Sequence, residues 1–279
     1  MSFKTIVVEV NGPAATIILN RPQVRNAQNE LMKDEISSAI RKLEGDTQVR
    51  VIILKGEGLC FSAGHDLKQL PRDPEDFAAP AGRPWFEGDE EKFRAFTNKV
   101  LRTFLELHDC SKPTIAQVHG ACIAAGWVLA SMCDLIVAAE DATFSDPVLR
   151  MATAGVEVLV EPWDLGIRRA KQLMWTGDAI TAREAWQVGM VNLVVPGDQL
   201  DRATMDLARR IALTPPGAVR ATKRSINRAL DLMGWRASHE QHTEVWVATM
   251  RSNEHREAHE RRASLGLKQF LQERDSKYT

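Results

Sequence analysis

Two stretches of this sequence could do chemistry with their backbone. The first is Phe61-Ser62-Ala63-Gly64-His65-Asp66-Leu67. A predicted strand ends just before it, and the small side chains of the turn let a ligand come close to the main chain. Asp66 can cap a short helix that follows, leaving N–H groups pointing outward. The second is His119-Gly120-Ala121-Cys122-Ile123-Ala124-Ala125-Gly126, again strand into helix through small residues. A helix N-terminus carries unsatisfied N–H groups and partial positive charge. Two such sites facing one carbonyl would make an oxyanion hole, in which one donor is typically worth roughly 3–4 kcal/mol of barrier. Each stretch alone also fits an ordinary strand-to-helix turn or close helix packing.

The elements that must position these turns alternate in type. Lys4–Val10 and Ala15–Asn20 are short β-branched runs around Asn11-Gly12-Pro13, which predicts a hairpin. Over Gln28–Leu43, the residues Leu31, Ile36, Ile40 and Leu43 fall close to helical spacing. Val51–Leu54 is a buried strand ended by Lys55-Gly56. Residues 71–90, rich in Pro, Gly, Asp and Glu, form a predicted loop. Glu91–Leu107 is an amphipathic helix with Phe93, Phe96, Val100 and Phe104 on its apolar side. A strand at Thr114–Val118, a helix at Ala124–Met132 and a strand at Asp134–Ala139 follow. From Pro162 the chain reads as mainly helical, with one strand near Val191–Val195 and consecutive helices over 198–279. The pattern is an α/β core with a helical C-terminal region.

The 279 residues are 44% hydrophobic and 26% charged, a globular composition able to bury a substantial core. A net charge of -1 supplies no global field for nucleic acid or an anionic membrane, and no basic–aromatic cluster occurs. Cys60, Cys110, Cys122 and Cys133 form no CxxC pair and have no zinc-ligand spacing. They read as reduced, buried thiols of a cytoplasmic protein, with no metal site expected. No apolar run approaches the length of a membrane span, and the N-terminal residues do not read as a secretory leader.

Taken together, and in order, LNRPQVRNAQN (19–29), VIILKGEGLCFSAGHDL (51–67) and KPTIAQVHGACIAAGWVLASMCDLIVAAEDATFSDP (112–147) resemble the enoyl-CoA hydratase/isomerase (crotonase) superfamily. LMWTGDAITAREAWQVGMVNLVVP (173–196) and KQFLQER (268–274) extend the resemblance over essentially the whole chain. The resemblance implies a spiral of ββα units over residues 1–197 carrying an acyl-CoA site, and a helical trimerisation region over 198–279. It further implies a homotrimer or a hexamer built as a dimer of trimers. The substrate would be an acyl-CoA thioester, with coenzyme A part of the substrate and no separate cofactor. His65 and Ala125 would supply the two oxyanion N–H groups, Ala125 standing where the family usually has glycine. Arg25, Ala27, Ala63, His65, Asp66 and Leu67 would lie along the CoA moiety. Arg25 could meet a phosphate or be a solvated surface arginine. A histidine side chain titrates near neutrality, but that of His65 is expected to pack beside the pantetheine arm.

The resemblance also locates departures. A hydratase of this family uses two glutamates, one to activate water and one to deliver a proton. Val128 and Val148 stand at those two positions, and neither can transfer a proton. Ala154-Gly155-Val156-Glu157 replaces a Gly-rich turn in which other members, such as dienoyl-CoA isomerases and the chlorobenzoyl-CoA dehalogenase, carry a working aspartate. Glu157 is therefore the candidate acid/base, with a surface or trimer contact as its alternative. Asp146 and Glu161 are weaker candidates for that role: Asp146 is expected instead to cap or hold a turn, and Glu161 to cap the next helix. Trp127 is expected to pack in the core. The expectation is an acyl-CoA-transforming lyase, isomerase or hydrolase of fatty acid metabolism with one working carboxylate. The alternative is a non-catalytic acyl-CoA-binding member.

Overall fold

The computed structural model describes residues 3–68 and 90–276, with residues 90–97 and 100 given by backbone alone. The predicted loop at 71–89 and the side chains of Phe93, Phe96 and Val100 lie outside the described residues.

Nine strands are described: β1 (Ile6–Asn11), β2 (Ala14–Leu19), β3 (Val51–Gly56), β4 (Thr114–Val118), β5 (Ala121–Ile123), β6 (Leu135–Ala139), β7 (Thr143–Ser145), β8 (Ala179–Thr181) and β9 (Leu193–Val195). Six of them form one sheet in the order β1-β2-β3-β4-β6-β9. β1 and β2 are the expected antiparallel hairpin, with Ile6 opposite Leu19 and Asn11 opposite Ala14. The other pairings in that sheet are parallel. β5, β7 and β8 form a second, smaller sheet. β4 and β6 thus each pass from the larger sheet into a strand of the smaller one, which is the ββα repeat.

Parallel strands covered on both faces read as continuous apolar runs, and Val51-Ile52-Ile53-Leu54 is one. Alternation sends successive side chains to opposite faces. Ile52 and Leu54 join the main core with Phe61, Phe104, Val118 and Trp127. Val51 and Ile53 join Ile115 and Val137 under Leu200 and Ala208.

The helices between strands are α1 (Glu30–Gly45), α2 (Glu90–Asp109), α3 (Ala125–Ser131), α4 (Glu161–Leu165), α5 (Ile167–Thr176) and α6 (Ala182–Gln187). Asn29 caps α1, its Oδ1 accepting from Met32 N at 2.9 Å. After β9 come α7 (Leu200–Ala212), α8 (Pro216–Leu232), α9 (Trp235–Met250), α10 (Asn253–Leu265) and α11 (Leu267–Asp275). α7 closes the outer face of the larger sheet. α9 folds back onto the segment that follows β7, through His242, Thr243 and Thr249. All four cysteines are buried and free, and burial pushes each thiol above its ordinary range. Among the described residues no helix is long and apolar enough to cross a membrane.

Candidate active site

The turn after β3 runs beside β5 and the start of α3. Ser62 N donates to Ala121 O, and Ile123 N donates back to Ser62 O. On its other side the turn pairs with the segment before α1. Gln28 N donates to Gly64 O at 2.7 Å, and Asp66 N donates to Gln28 O at 2.9 Å. Pairing through Gly64 O and Asp66 N turns the N–H of the intervening His65 to the opposite side. Ala125 is the first residue of α3, where a helix has no internal acceptor for its N–H. Among the described residues neither the His65 nor the Ala125 N–H has an acceptor. Their neighbours Ser62, Ala63, Gly64, Asp66, Ile123 and Ala124 all donate.

The two turns touch. Gly64 has φ +85, and a methyl group there would come 2.7 Å from Ile123 O and 3.3 Å from Ala125 N. Glycine is required both by conformation and by space. Ala124, with φ 51 and ψ -118, holds a conformation costly for an alanine, and it orients the peptide that carries the Ala125 N–H. Arg25 and Asn26 also have positive φ. Asn26 is fully buried and holds the loop: its Nδ2 donates to Glu57 O and Cys60 O, and its Oδ1 accepts from Arg21 N.

Glu157 lies in the turn between β7 and α4, and its carboxyl is buried. The His65 ring donates from Nε2 to Glu157 Oε2 at 2.7 Å. The ring, expected to pack along the pantetheine arm, meets a carboxylate 92 residues away in the chain. Burial alone would raise the Glu157 carboxyl. The charge and hydrogen bond of His65, helped by Lys33, outweigh it and hold Glu157 below its ordinary value. His65 Nδ1 is buried and has no partner among the described residues. Three side chains of α9 fix the turn: His242 Nε2 donates to Val156 O, Thr243 Oγ1 donates to Glu157 O, and Thr249 Oγ1 accepts from Ala154 N.

Behind this turn lies a second group of acids. Asp146 Oδ1 accepts from Val148 N at 3.2 Å, the turn-holding role expected of it. Glu161, expected to cap a helix, instead points its buried carboxyl at Asp146. Two buried carboxyls facing each other cannot both ionise easily. Burial pushes Asp146 up to about 6, and burial with the Asp146 charge pushes Glu161 well above its ordinary value. On α4, Asp164 accepts from Trp127 Nε1 at 2.9 Å and from Ser131 Oγ, and burial still pushes it up to about 6. Trp127 is a core residue. Val128 and Val148 are buried apolar side chains, and neither can transfer a proton.

Asp66 pairs with Arg21 at 2.9 Å, Ala63 is half-buried, Ala27 is buried and Leu67 is exposed. The Arg25 side chain is exposed, while its carbonyl accepts from Ala63 N. Sequence reasoning missed Gln28 and Asn26. No local signal sets either residue apart from a solvated polar residue ahead of a helix.

The fold and the turns at 61–67 and 119–126 define a protein of the crotonase class. The model of the enoyl-CoA hydratase/isomerase family matches residues 9–279, and the chain belongs to that family. It is 42% identical over 236 residues to EchA13 of Mycobacterium tuberculosis, a protein named as an enoyl-CoA hydratase, covering 82% of this chain and 74% of that one. The hydroxycinnamoyl-CoA hydratase-lyase of Pseudomonas fluorescens is 30% identical over 99% of this chain and 95% of its own. Among solved structures, an enoyl-CoA hydratase/isomerase from Xanthobacter autotrophicus Py2 superposes with a TM-score of 0.87 at 34% identity, covering all of both chains.

Proposed function

We propose that this protein binds an enoyl-CoA thioester, polarises its carbonyl with the N–H groups of His65 and Ala125, and moves a proton next to that carbonyl with Glu157. The observation that carries the reading is the pairing of two unclaimed N–H groups with a buried carboxylate bonded to the ring of one of those same residues. Polarisation stabilises the dienolate that forms when a proton leaves the α carbon of a 3-enoyl or the γ carbon of a 2-enoyl thioester. Glu157 is a carboxylate near neutrality, so it can accept that proton and return it at another carbon, a net isomerisation. Hydration by two glutamates is disfavoured, because Val128 and Val148 offer neither the base nor the acid. A hydrolytic step through a tetrahedral oxyanion would use the same cradle. The exposed apolar residues Ile226, Leu232 and Met233, on or just after a helix α8 that buries no residue, support assembly as a homotrimer or a hexamer.

A second reading rests on the unpartnered His65 Nδ1. In it, Glu157 orients the ring through Nε2, and His65 exchanges the proton with substrate at Nδ1.

The test is turnover of a panel of 2-enoyl- and 3-enoyl-CoA thioesters in D2O, with solvent deuterium followed into product. Isomerisation with deuterium incorporation is expected, and Glu157→Gln should lower it by about 10²–10⁴-fold. Fast hydration of crotonyl-CoA that survives Glu157→Gln would overturn the assignment of the base. Tight CoA binding by calorimetry with no turnover on any thioester would favour a binding protein.

A further inference from the structure

Gln28 bonds both turns at once. Its backbone N–H donates to Gly64 O, the oxygen of the same peptide whose N–H belongs to His65. Because a peptide is planar and trans, holding that oxygen sets the direction of the N–H on the other side. The Gln28 side-chain amide crosses to the second turn. Nε2 has two hydrogens and two acceptors: Ala125 O at 3.0 Å and Ser62 Oγ at 3.3 Å. Ser62 Oγ in turn donates to Asn26 O at 2.9 Å and accepts from Gly64 N at 3.2 Å. One residue thus holds the peptide that presents the His65 N–H and the first helical residue that presents the Ala125 N–H.

The other end of that amide is informative. Gln28 is 2% exposed, and its Oε1 has no hydrogen-bond partner among the described residues. A buried, unsatisfied carbonyl costs stability, and an apolar residue of similar size would avoid the cost.

We infer that Gln28 is a positioning residue that sets the separation and aim of the two carbonyl-polarising N–H groups. This rests on the reading of His65 and Ala125 as those donors. Gln28→Met keeps the length and the backbone pairing and removes both side-chain hydrogen bonds. The probe is a conjugated 2,4-dienoyl-CoA thioester, whose absorption moves to longer wavelength when its carbonyl is polarised. Bound to the wild-type protein it should show that red shift. In Gln28→Met the shift should shrink, and kcat should fall about tenfold or more with KM changed less than about threefold, as befits a transition-state contact. CoA affinity by calorimetry should be unchanged. Gln28→Asn, which keeps the amide one methylene short, should give the same direction and stands in if Gln28→Met does not fold. A full red shift and full kcat in a folded variant, or equal losses of CoA affinity and shift, would overturn the inference alone. Absence of the shift in the wild-type protein with bound probe would instead overturn the reading of the donors.

Discussion

The turns that carry His65 and Ala125 are held by neutral hydrogen bonds among peptides, the Asn26 and Gln28 amides and the Ser62 hydroxyl. The neighbouring interior, with Glu157, Asp146, Glu161 and Asp164, is a set of buried acids whose protonation states depend on one another and on His65. A cradle made of N–H groups tolerates a change of side chain: alanine at position 125 keeps the donor a glycine would have. A proton-transfer site made of side chains does not, and on the function proposed above it is rebuilt here around Glu157. In such a fold the polarising apparatus and the acid/base apparatus can change separately.

The largest effect that would break the comparison is at Gly64. Gly64→Ala forces a methyl group against Ile123 O and Ala125 N at a positive φ. Turnover should fall by about 10²–10³-fold, measured as kcat/KM, while Glu157 still titrates as before. A variant that unfolds no earlier yet keeps full activity would show that the two turns do not act together.

His65→Ala separates ring from backbone. The donor N–H stays, but Glu157 loses its positive neighbour, so its pKa rises and the acid limb of the kcat/KM profile should move to higher pH. A rate loss of about tenfold is expected at neutral pH. A loss as large as that of Glu157→Gln would hand the proton transfer to His65 Nδ1.

The smallest effect is at the facing acids. The folded pKa of Asp146 is raised to about 6 against an ordinary 3.8. Its contribution to stability is therefore fully present below the ordinary value and is lost as pH rises through 6. Asp146→Asn keeps an acceptor for Val148 N without the charge. It should raise Tm by about 2–5 °C at pH 8 and change it little at pH 4, read by calorimetry. No gain at pH 8 would mean that the pair is relieved by some other group.

What the sequence made legible follows from pattern length. The run Val51-Ile52-Ile53-Leu54 announces a doubly covered strand, and small residues before Ala125 announce a helix entered through a tight turn. The three-residue strands β5, β7 and β8 show no usable period, so the second sheet was invisible. The contact between His65 and Glu157 joins residues brought together only by the fold. Glu161 was misread as a cap because a glutamate at a helix start suits the helix dipole, and nothing local says that it is buried against Asp146. Gln28 fell inside a predicted helix, where its bonds to Ser62 and Ala125 could not be foreseen.

Ala124 carries a further consequence. An alanine kept at φ 51 and ψ -118 narrows the conformations open to that peptide far more than a glycine would. Its strain is already met in the folded state, so on the proposed function the Ala125 N–H is aimed before any substrate arrives. Little reorganisation is then left for the moment of reaction, and binding energy from the CoA portion remains free for orienting the acyl chain.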